Sequence, residues 1–333
     1  MTVSTTPAPT PWKRANTDWF HDARWGMFVH YLADSASNLK PITLTADDWN
    51  RRIDAFDVNG LAKQLAYARV PYFCITLGQN SGFYLSPNRT YDAIVGIKPS
   101  KCSKRDLIAD LAAAFKPFGI RLMVYLPGGA PAADAVAKAR LEEPVDERLS
   151  TIQRNWEAVS REWSLRWGKN VHGWWIDGPY NKEAYSHPDA PNYRSFASAL
   201  KAGNPDSLVS FNNGLRLPLY SVTECDDFTP GEIERDLPVA PGCLPDYSRL
   251  QNFSRYLDGA QLHVLTIMGE WWGKHPKRFD DELVIAYTKY FNRKGGVISW
   301  DAPIQENGLM DEAFRPQIEA LGHAIRAAKA QGY

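Results

Sequence analysis

Short apolar runs and helical stretches alternate along the chain. Eight runs are apolar and end in polar residues: 25–30, 72–77, 121–126, 173–176, 208–211, 221–224, 262–268 and 295–300. Runs this short suit parallel strands that are covered on both faces. We therefore predict eight strands, of which 221–224 is the least apolar.

Helical periodicity fills most of the intervals between these runs, over 57–68, 103–119, 146–167, 193–202, 247–257, 280–291 and 311–328. In the second interval Ser103 and Asp106 have the spacing of a capping box, and Gly119 closes the helix. Alternating strands and helices predict a parallel α/β sheet with right-handed crossovers, and eight repeats predict its closure into a (β/α)8 TIM-like barrel.

We assign 19–330 to a single catalytic barrel and 1–18 to a flexible leader. Pro-rich loops at 128–144 and 229–245 are expected over the active face.

The carboxyl ends of the predicted strands collect polar and aromatic residues on one face, where barrel enzymes carry out their chemistry. The run from Trp174 to Gly178 ends a buried strand on Asp177, which is the placement of a catalytic nucleophile; the alternative is an Asp that caps the next loop. Amides and imidazoles bind sugar hydroxyls, aromatic rings stack on sugars, and paired acids cleave glycosidic bonds. The candidate substrate-binding residues are His30, Tyr31, Gln79, Asn80, Tyr125, Trp175, Asn212, Trp271 and Trp300.

Composition narrows the function classes. The 333 residues carry a net charge of +0, so no overall field favours nucleic acid or a membrane surface, and we expect a neutral carbohydrate partner. No apolar stretch approaches the ~20 residues of a membrane helix, and the start lacks the apolar segment of a signal peptide. Four scattered cysteines fit reduced thiols, so a cytoplasmic location is expected, with export as the alternative if a segment before Met1 was removed. No metal-binding or nucleotide-binding motif is present, and we expect no metal and no cofactor. The oligomeric state is left open.

Four stretches resemble the α-L-fucosidase family of glycoside hydrolases, family 29, between about residues 19 and 326. Residues 25–30 are similar to its first-strand G-x-F-x-H, 72–83 to its second strand, 174–178 to its W-x-D-G nucleophile strand, and 303–322 to the end of its catalytic domain. The resemblance implies an exo-acting glycosidase, with Asp177 as nucleophile and His30 as a ligand of the terminal sugar. The family's β-sandwich is expected to be absent, since the chain stops at Tyr333.

The chain departs from this family where the sugar is bound. The family's K-H-H-D-G-F is replaced by a stretch that begins Gln79-Asn80, and its H-W by His30-Tyr31. Amides differ from imidazoles in the directions of their donors and acceptors. The expected sugar is therefore fucose or a related neutral or deoxy sugar.

The second carboxylate has two main candidates. Glu232 resembles the T-P-E element that carries the family's acid/base, and Glu270 follows the seventh strand beside aromatic residues; Glu224 and Asp227 are further alternatives. We predict retaining hydrolysis through a glycosyl-Asp177 intermediate, for which the carboxyl groups lie about 5–5.5 Å apart, against about 6.5–9.5 Å in inverting enzymes. The other function considered is a catalytically inactive barrel that binds carbohydrate.

Overall fold

The computed structural model describes residues 11–215, 219–234, 237 and 254–332. In chain order its strands are β1 Trp25–Val29, β2 Tyr72–Thr76, β3 Arg121–Pro127, β4 Gly173–Asp177, β5 Leu208–Asn212, β6 Tyr256–Leu257, β7 Ala260–Gln261, β8 His263–Ile267 and β9 Val297–Asp301. The two short strands β6 and β7 form an antiparallel pair, and the other seven form a parallel sheet in the order β5-β4-β3-β2-β1-β9-β8. This is the predicted α/β architecture, a TIM-like barrel in a single domain.

Helices cover the outside of this sheet. Those of the described residues are Asp18–Ala23, Ala46–Asp54, Val58–Tyr67, Arg89–Val95, Leu107–Phe115, Ala135–Glu142, Ser150–Trp167, Lys182–Tyr185, Tyr193–Leu200, Asp281–Arg293 and Arg315–Ala330. The cap of the helix after Ser103 is Asp106, which accepts the Ala109 amide, because the helix begins only at Leu107. Residues 128–144, predicted as loop, contain a helix. The predicted helix at 247–257 lies largely outside the described residues, and its described end forms β6.

The position between β5 and β8, where a sixth strand was predicted at 221–224, is occupied by a later segment of the chain. Residues 221–224 do not form a strand, because the Asp226 carboxylate accepts the amides of Val222 and Thr223 and holds them in a turn. The segment from Asp227 to Ile233, which we call the closing segment, lies between β5 and β8. Its backbone bonds join Asp227 to Val209 of β5, Thr229 to Gln261, and Gly231 and Ile233 to Leu265 of β8. The prediction of a strand at 221–224 is therefore wrong by several residues, and Glu232 comes at the carboxyl end of the strand position.

Strand alternation separates two apolar cores. One side of each strand faces the barrel interior, which contains Phe28, Tyr125, Trp175 and Leu265 among others. The other side faces the helices, where Trp174 stacks on Trp167 with ring centroids 5.8 Å apart. Because strand neighbours point to opposite faces, Trp175 and Asp177 share the inner face of β4.

The described part of the predicted leader contacts the first residue of the closing segment, Asp227, and the residue before it, Asp226. Arg14 donates to the backbone oxygen of Asp226, and the amide of Ala15 donates to the Asp227 carboxylate, both at 2.6 Å. The boundaries of the leader and the barrel stay a prediction. Among the described helices, none combines the length and the apolar character that crossing a bilayer requires.

Asp227 and Lys201 form a buried ion pair that fixes the closing segment. Lys201 Nζ lies 2.6 Å from Asp227 Oδ2, which also accepts the Val209 amide of β5. Removing one partner of a buried pair leaves the other charge without compensation, which costs about 3–5 kcal/mol. We expect Asp227→Asn to lower the free energy of unfolding by this amount, measured from the urea midpoint and slope.

The matched control for this variant is Glu319→Gln. Glu319 pairs with Arg315 at 3.5 Å on the surface of the last helix, and exposed pairs contribute only about 0–1 kcal/mol. Equal losses in the two variants would show that the buried pair does not hold the closing segment.

Candidate active site

A pit at the carboxyl end of the barrel brings half of the predicted site residues together. Six of the residues that line it belong to the predicted set: His30, Gln79, Tyr125, Trp175, Asp177 and Glu232. The free space in the pit is about 20 Å³, which holds about one water molecule. A wider cleft of about 360 Å³ adjoins it, and Asp177, Tyr125, Gln79 and Ser37 line both spaces. A ligand larger than a water molecule would therefore have to extend from the pit into the cleft, past Asp177.

Asp177 is held by donors from two neighbouring strands. Tyr125 of β3 donates its hydroxyl to Oδ2 at 2.7 Å, and Asn212 of β5 donates its amide to Oδ1 at 2.9 Å. The Tyr180 hydroxyl lies 3.5 Å from Oδ1. These contacts follow from the parallel register, which puts Asp177 beside Pro127 on one side and Asn212 on the other.

Asn212 also joins Asp177 to Glu232. The same Asn212 nitrogen donates to Glu232 Oε2 at 2.7 Å. Since Asp177 Oδ1 and Glu232 Oε2 accept from one nitrogen, at 2.9 and 2.7 Å, these two oxygens lie close to each other, as the short separation of a retaining pair requires. The carboxyl groups of Asp177, at the end of β4, and Glu232, near the end of the closing segment, therefore lie at close range.

The two carboxyl groups differ in their surroundings. Burial raises the pKa of Asp177, and the donated hydrogen bonds of Tyr125 and Asn212 offset part of this rise by favouring the charged form. Burial and then the neighbouring charge of Asp177 raise the pKa of Glu232 to about 7. Asp177 accepts from both Tyr125 and Asn212, whereas of these two donors only Asn212 reaches Glu232. The hydrogen bonds therefore favour the charge on Asp177 and the proton on Glu232, which is the division of roles between a nucleophile and a general acid.

A chain of hydrogen bonds fixes the Tyr125 hydroxyl. The amide of Ser37 donates to Gln79 Oε1 at 2.8 Å, so Gln79 Nε2 faces Tyr125 and donates to its oxygen at 2.8 Å. The one hydroxyl proton of Tyr125 is then directed to Asp177. Gln79, predicted to bind the sugar, uses both ends of its amide in this chain, while Asn80 lines the adjoining cleft.

The structure places three of the predicted sugar-binding aromatic residues outside the lining of the pit. Tyr31 and Trp300 are buried toward the helices, where Tyr31 donates to the Glu306 carbonyl and Trp300 to Thr288. Tyr31 follows His30, and Trp300 precedes Asp301. Because His30 and Asp301 point into the barrel and strand neighbours point to opposite faces, Tyr31 and Trp300 point outward. Trp271 packs partly buried beside the inner core.

The other candidate acids also lie apart from the pit. Glu270 is exposed beyond β8, and its backbone amide donates to the Pro276 carbonyl. Glu224 pairs with Arg194 at 2.5 Å on the surface, and Asp227 is buried against Lys201. Of the four acids considered, the structure brings Glu232 to Asp177.

Four pit residues are absent from the predicted set: Phe28, Ser37, Leu265 and Trp272. Phe28 could have been found from the sequence, because it lies two positions before His30 on the same strand face. Trp272, whose ring lies 5.6 Å from that of His30, could not be told from Trp271, since the turn after β8 sets which of the two rings faces inward.

No protein-family model matches the sequence, and no curated protein matches it. Solved structures do match. The endo-fucoidan hydrolase P5AFcnA of glycoside hydrolase family 107 is 16% identical, with a TM-score of 0.67 over 91% of this chain and 92% of that chain. The endo-fucoidan hydrolase MfFcnA4 of the same family is 16% identical, with a TM-score of 0.69 over 93% of this chain, which spans 53% of that protein.

An α-L-fucosidase of glycoside hydrolase family 29 from Bacteroides thetaiotaomicron is 16% identical, with a TM-score of 0.63 over 98% of this chain and 77% of that chain. A putative α-L-fucosidase from the same organism is 15% identical, with a TM-score of 0.66 over 96% and 69%. At these identities the likeness concerns the fold. The chain has the barrel fold of the fucosidase-like glycoside hydrolases.

Proposed function

We propose that this protein is a retaining glycoside hydrolase that releases a terminal sugar, fucose or a related neutral or deoxy sugar, with Asp177 as nucleophile and Glu232 as acid/base. The observation that carries the proposal is the amide of Asn212, which donates to both carboxylates and keeps them at close range. This spacing is compatible with direct attack on the sugar, whereas an inverting enzyme needs room for a water molecule between carboxylate and substrate.

The proposed reaction has two displacements. In the first, an oxygen of Asp177 forms a bond to the anomeric carbon while the bond to the leaving oxygen breaks, and that oxygen receives the proton of Glu232. In the second, the Glu232 carboxylate takes a proton from water, whose oxygen attacks the anomeric carbon and releases Asp177. Two inversions give net retention, and both groups return to their starting protonation states.

The substrate class is supported by the chemistry of the pit and by the fold. The described lining combines apolar faces at Phe28, Trp175, Leu265 and Trp272 with polar groups at His30 and Ser37. Such a surface suits a ring with an apolar face and a few hydroxyls. Solved structures with this fold include α-L-fucosidases and endo-fucoidan hydrolases, which directs the first tests to fucosides.

The test of this function is turnover of a panel of aryl glycosides that includes α-L-fucosides, with the first-formed anomer of the product followed by NMR. We expect release of the aryl alcohol from one member and a product of retained configuration. Inverted product would contradict the proposed mechanism. Binding without turnover of any glycoside would favour the carbohydrate-binding alternative.

A further inference from the structure

Asp301 is a buried carboxylate at the end of the last barrel strand. Its backbone lies between two neighbouring strands, beside Phe28 of β1 and Ile267 of β8, and the residue has 0% of its surface exposed. A buried charge is costly unless it is paired and hydrogen-bonded. The position therefore requires partners, and it has two.

These partners tie Asp301 to the pit. Oδ1 lies 2.8 Å from His30 Nδ1, and Oδ2 accepts the backbone amide of Gly273 at 2.6 Å. His30 lines the pit together with Asp177 and Glu232. Asp301 is thus one side chain removed from the candidate catalytic groups.

The surroundings of His30 fix its ring in one orientation. The rings of Phe28 and Trp272 lie 5.1 and 5.6 Å from it, and that of Tyr125 lies 6.0 Å away. Gly273 has a φ of +62°, and a Cβ there would lie 3.2 Å from His30 Cβ. The turn that supplies the second donor to Asp301 is therefore fitted closely against His30.

We propose that Asp301 is a positioning residue that acts through His30. Because a carboxylate only accepts, it places the proton of the neutral imidazole on Nδ1 and leaves Nε2 as a hydrogen-bond acceptor toward the pit. In the hydrolase proposed above, on which this part rests, Nε2 accepts a hydrogen bond from a hydroxyl of the bound sugar. Asp301 never touches the sugar itself.

The tautomer is measured directly, without any assay of activity. In the wild-type protein, 15N NMR of the imidazole nitrogens, with His30 assigned from the spectrum of His30→Gln, is expected to show the Nδ1–H form of the neutral ring. A neutral His30 that carries its proton on Nε2 would overturn the proposal. This measurement stands even if Asp301 variants fail to fold and even if no glycoside is turned over.

Asp301→Asn is expected to reverse the tautomer. An Asn carbonyl can accept from Gly273, but its NH2 group then faces His30 Nδ1 as a donor, so the imidazole proton moves to Nε2. The acceptor toward the sugar becomes a donor, and we expect kcat/KM to fall about 10- to 100-fold, by analogy with the loss found when the partner that orients a metal-ligating His is removed.

A double-mutant cycle separates positioning from a general structural effect. If Asp301 acts through His30, then Asp301→Asn lowers kcat/KM in the wild-type background and has no further effect in the His30→Gln background. An equal fall in both backgrounds would overturn the proposal, because Asp301 would then act independently of the imidazole.

The matched control is Asp311→Asn, which removes the carboxylate of another His–Asp pair. His275 Nε2 lies 2.9 Å from Asp311 Oδ2, and His275 is exposed. We expect this variant to leave kcat/KM and the His30 signals unchanged. If the wild-type protein shows the Nδ1–H form of His30 but no retaining activity, only the proposed function is refuted. If it shows retaining activity but carries the His30 proton on Nε2, only the role of Asp301 is refuted.

Discussion

Asp177→Asn is expected to lower kcat/KM for the aryl glycoside that the protein cleaves by about 10⁴-fold or more, because an amide cannot form the glycosyl ester. The substitution is nearly isosteric. In the wild-type protein Tyr125 and Asn212 donate to Asp177 at 2.7 and 2.9 Å; in the variant the Asn oxygen can accept from Asn212, and the Asn NH2 group can donate to the Tyr125 oxygen. We therefore expect the fold to survive. Steady-state rates, with the circular dichroism spectrum as a check of folding, measure the effect.

Chemical rescue distinguishes a nucleophile from a residue that only stabilises charge. In Asp177→Ala, azide can occupy the vacated space and attack the anomeric carbon, and the expected product is a glycosyl azide of inverted configuration. The matching variant Glu232→Ala keeps the nucleophile, so its azide product should retain the configuration of the substrate. Activity of Asp177→Asn within tenfold of the wild type would exclude Asp177 as the nucleophile.

Glu232→Gln is expected to lower kcat/KM by about 10²- to 10⁴-fold for glycosides with poorly acidic leaving groups, and less for activated aryl groups that need no proton. The pKa of Glu232 determines the direction in which kcat/KM changes with pH. Burial and the charge of Asp177 raise the pKa of Glu232 to about 7, and only the protonated form can act as the acid. The wild-type kcat/KM should therefore decline above this pH, and this alkaline decline should disappear in the variant. A fall at low pH, where Asp177 takes up a proton, should remain in both proteins.

Glu270→Gln is the matched control for this experiment. Glu270 is exposed beyond β8 and outside the pit, so its substitution should leave both the rate and the alkaline decline as they are. An alkaline decline that persists in Glu232→Gln and vanishes in Glu270→Gln would transfer the acid role to Glu270.

The alternation of side chains along a strand predicts which residues near the strand ends point into the barrel. With His30 and Asp177 assigned to the pit, a period of two places Phe28 and Trp175 inward, and Tyr31 and Trp174 outward toward the helices. The structure has this arrangement. Tyr31 was nonetheless predicted to bind the sugar, because it follows the strand end closely and position along the chain does not reveal the face.

The closing segment could not be predicted from local pattern. Its barrel position depends on carboxylates that replace strand bonds, since Asp226 accepts the Phe211 amide and Asp227 accepts the Val209 amide, both at 2.8 Å. Acidic residues are depleted in strands, so the pattern predicted the strand several residues too early. The same shift brings Glu232, rather than Glu224, to the strand end.

The sequence by itself determined seven parallel strands, most of the helices between them and the placement of Asp177 at a strand end, because these depend on periodicities within short stretches. The tertiary structure alone decided which acid meets Asp177, that Gln79 supports Tyr125, and that Asp301 holds His30 from 271 positions away. Those contacts join separate strands, and their distances arise only when the sheet curves, the strands take their register and the sixth position is filled. No local pattern in the chain encodes that closure.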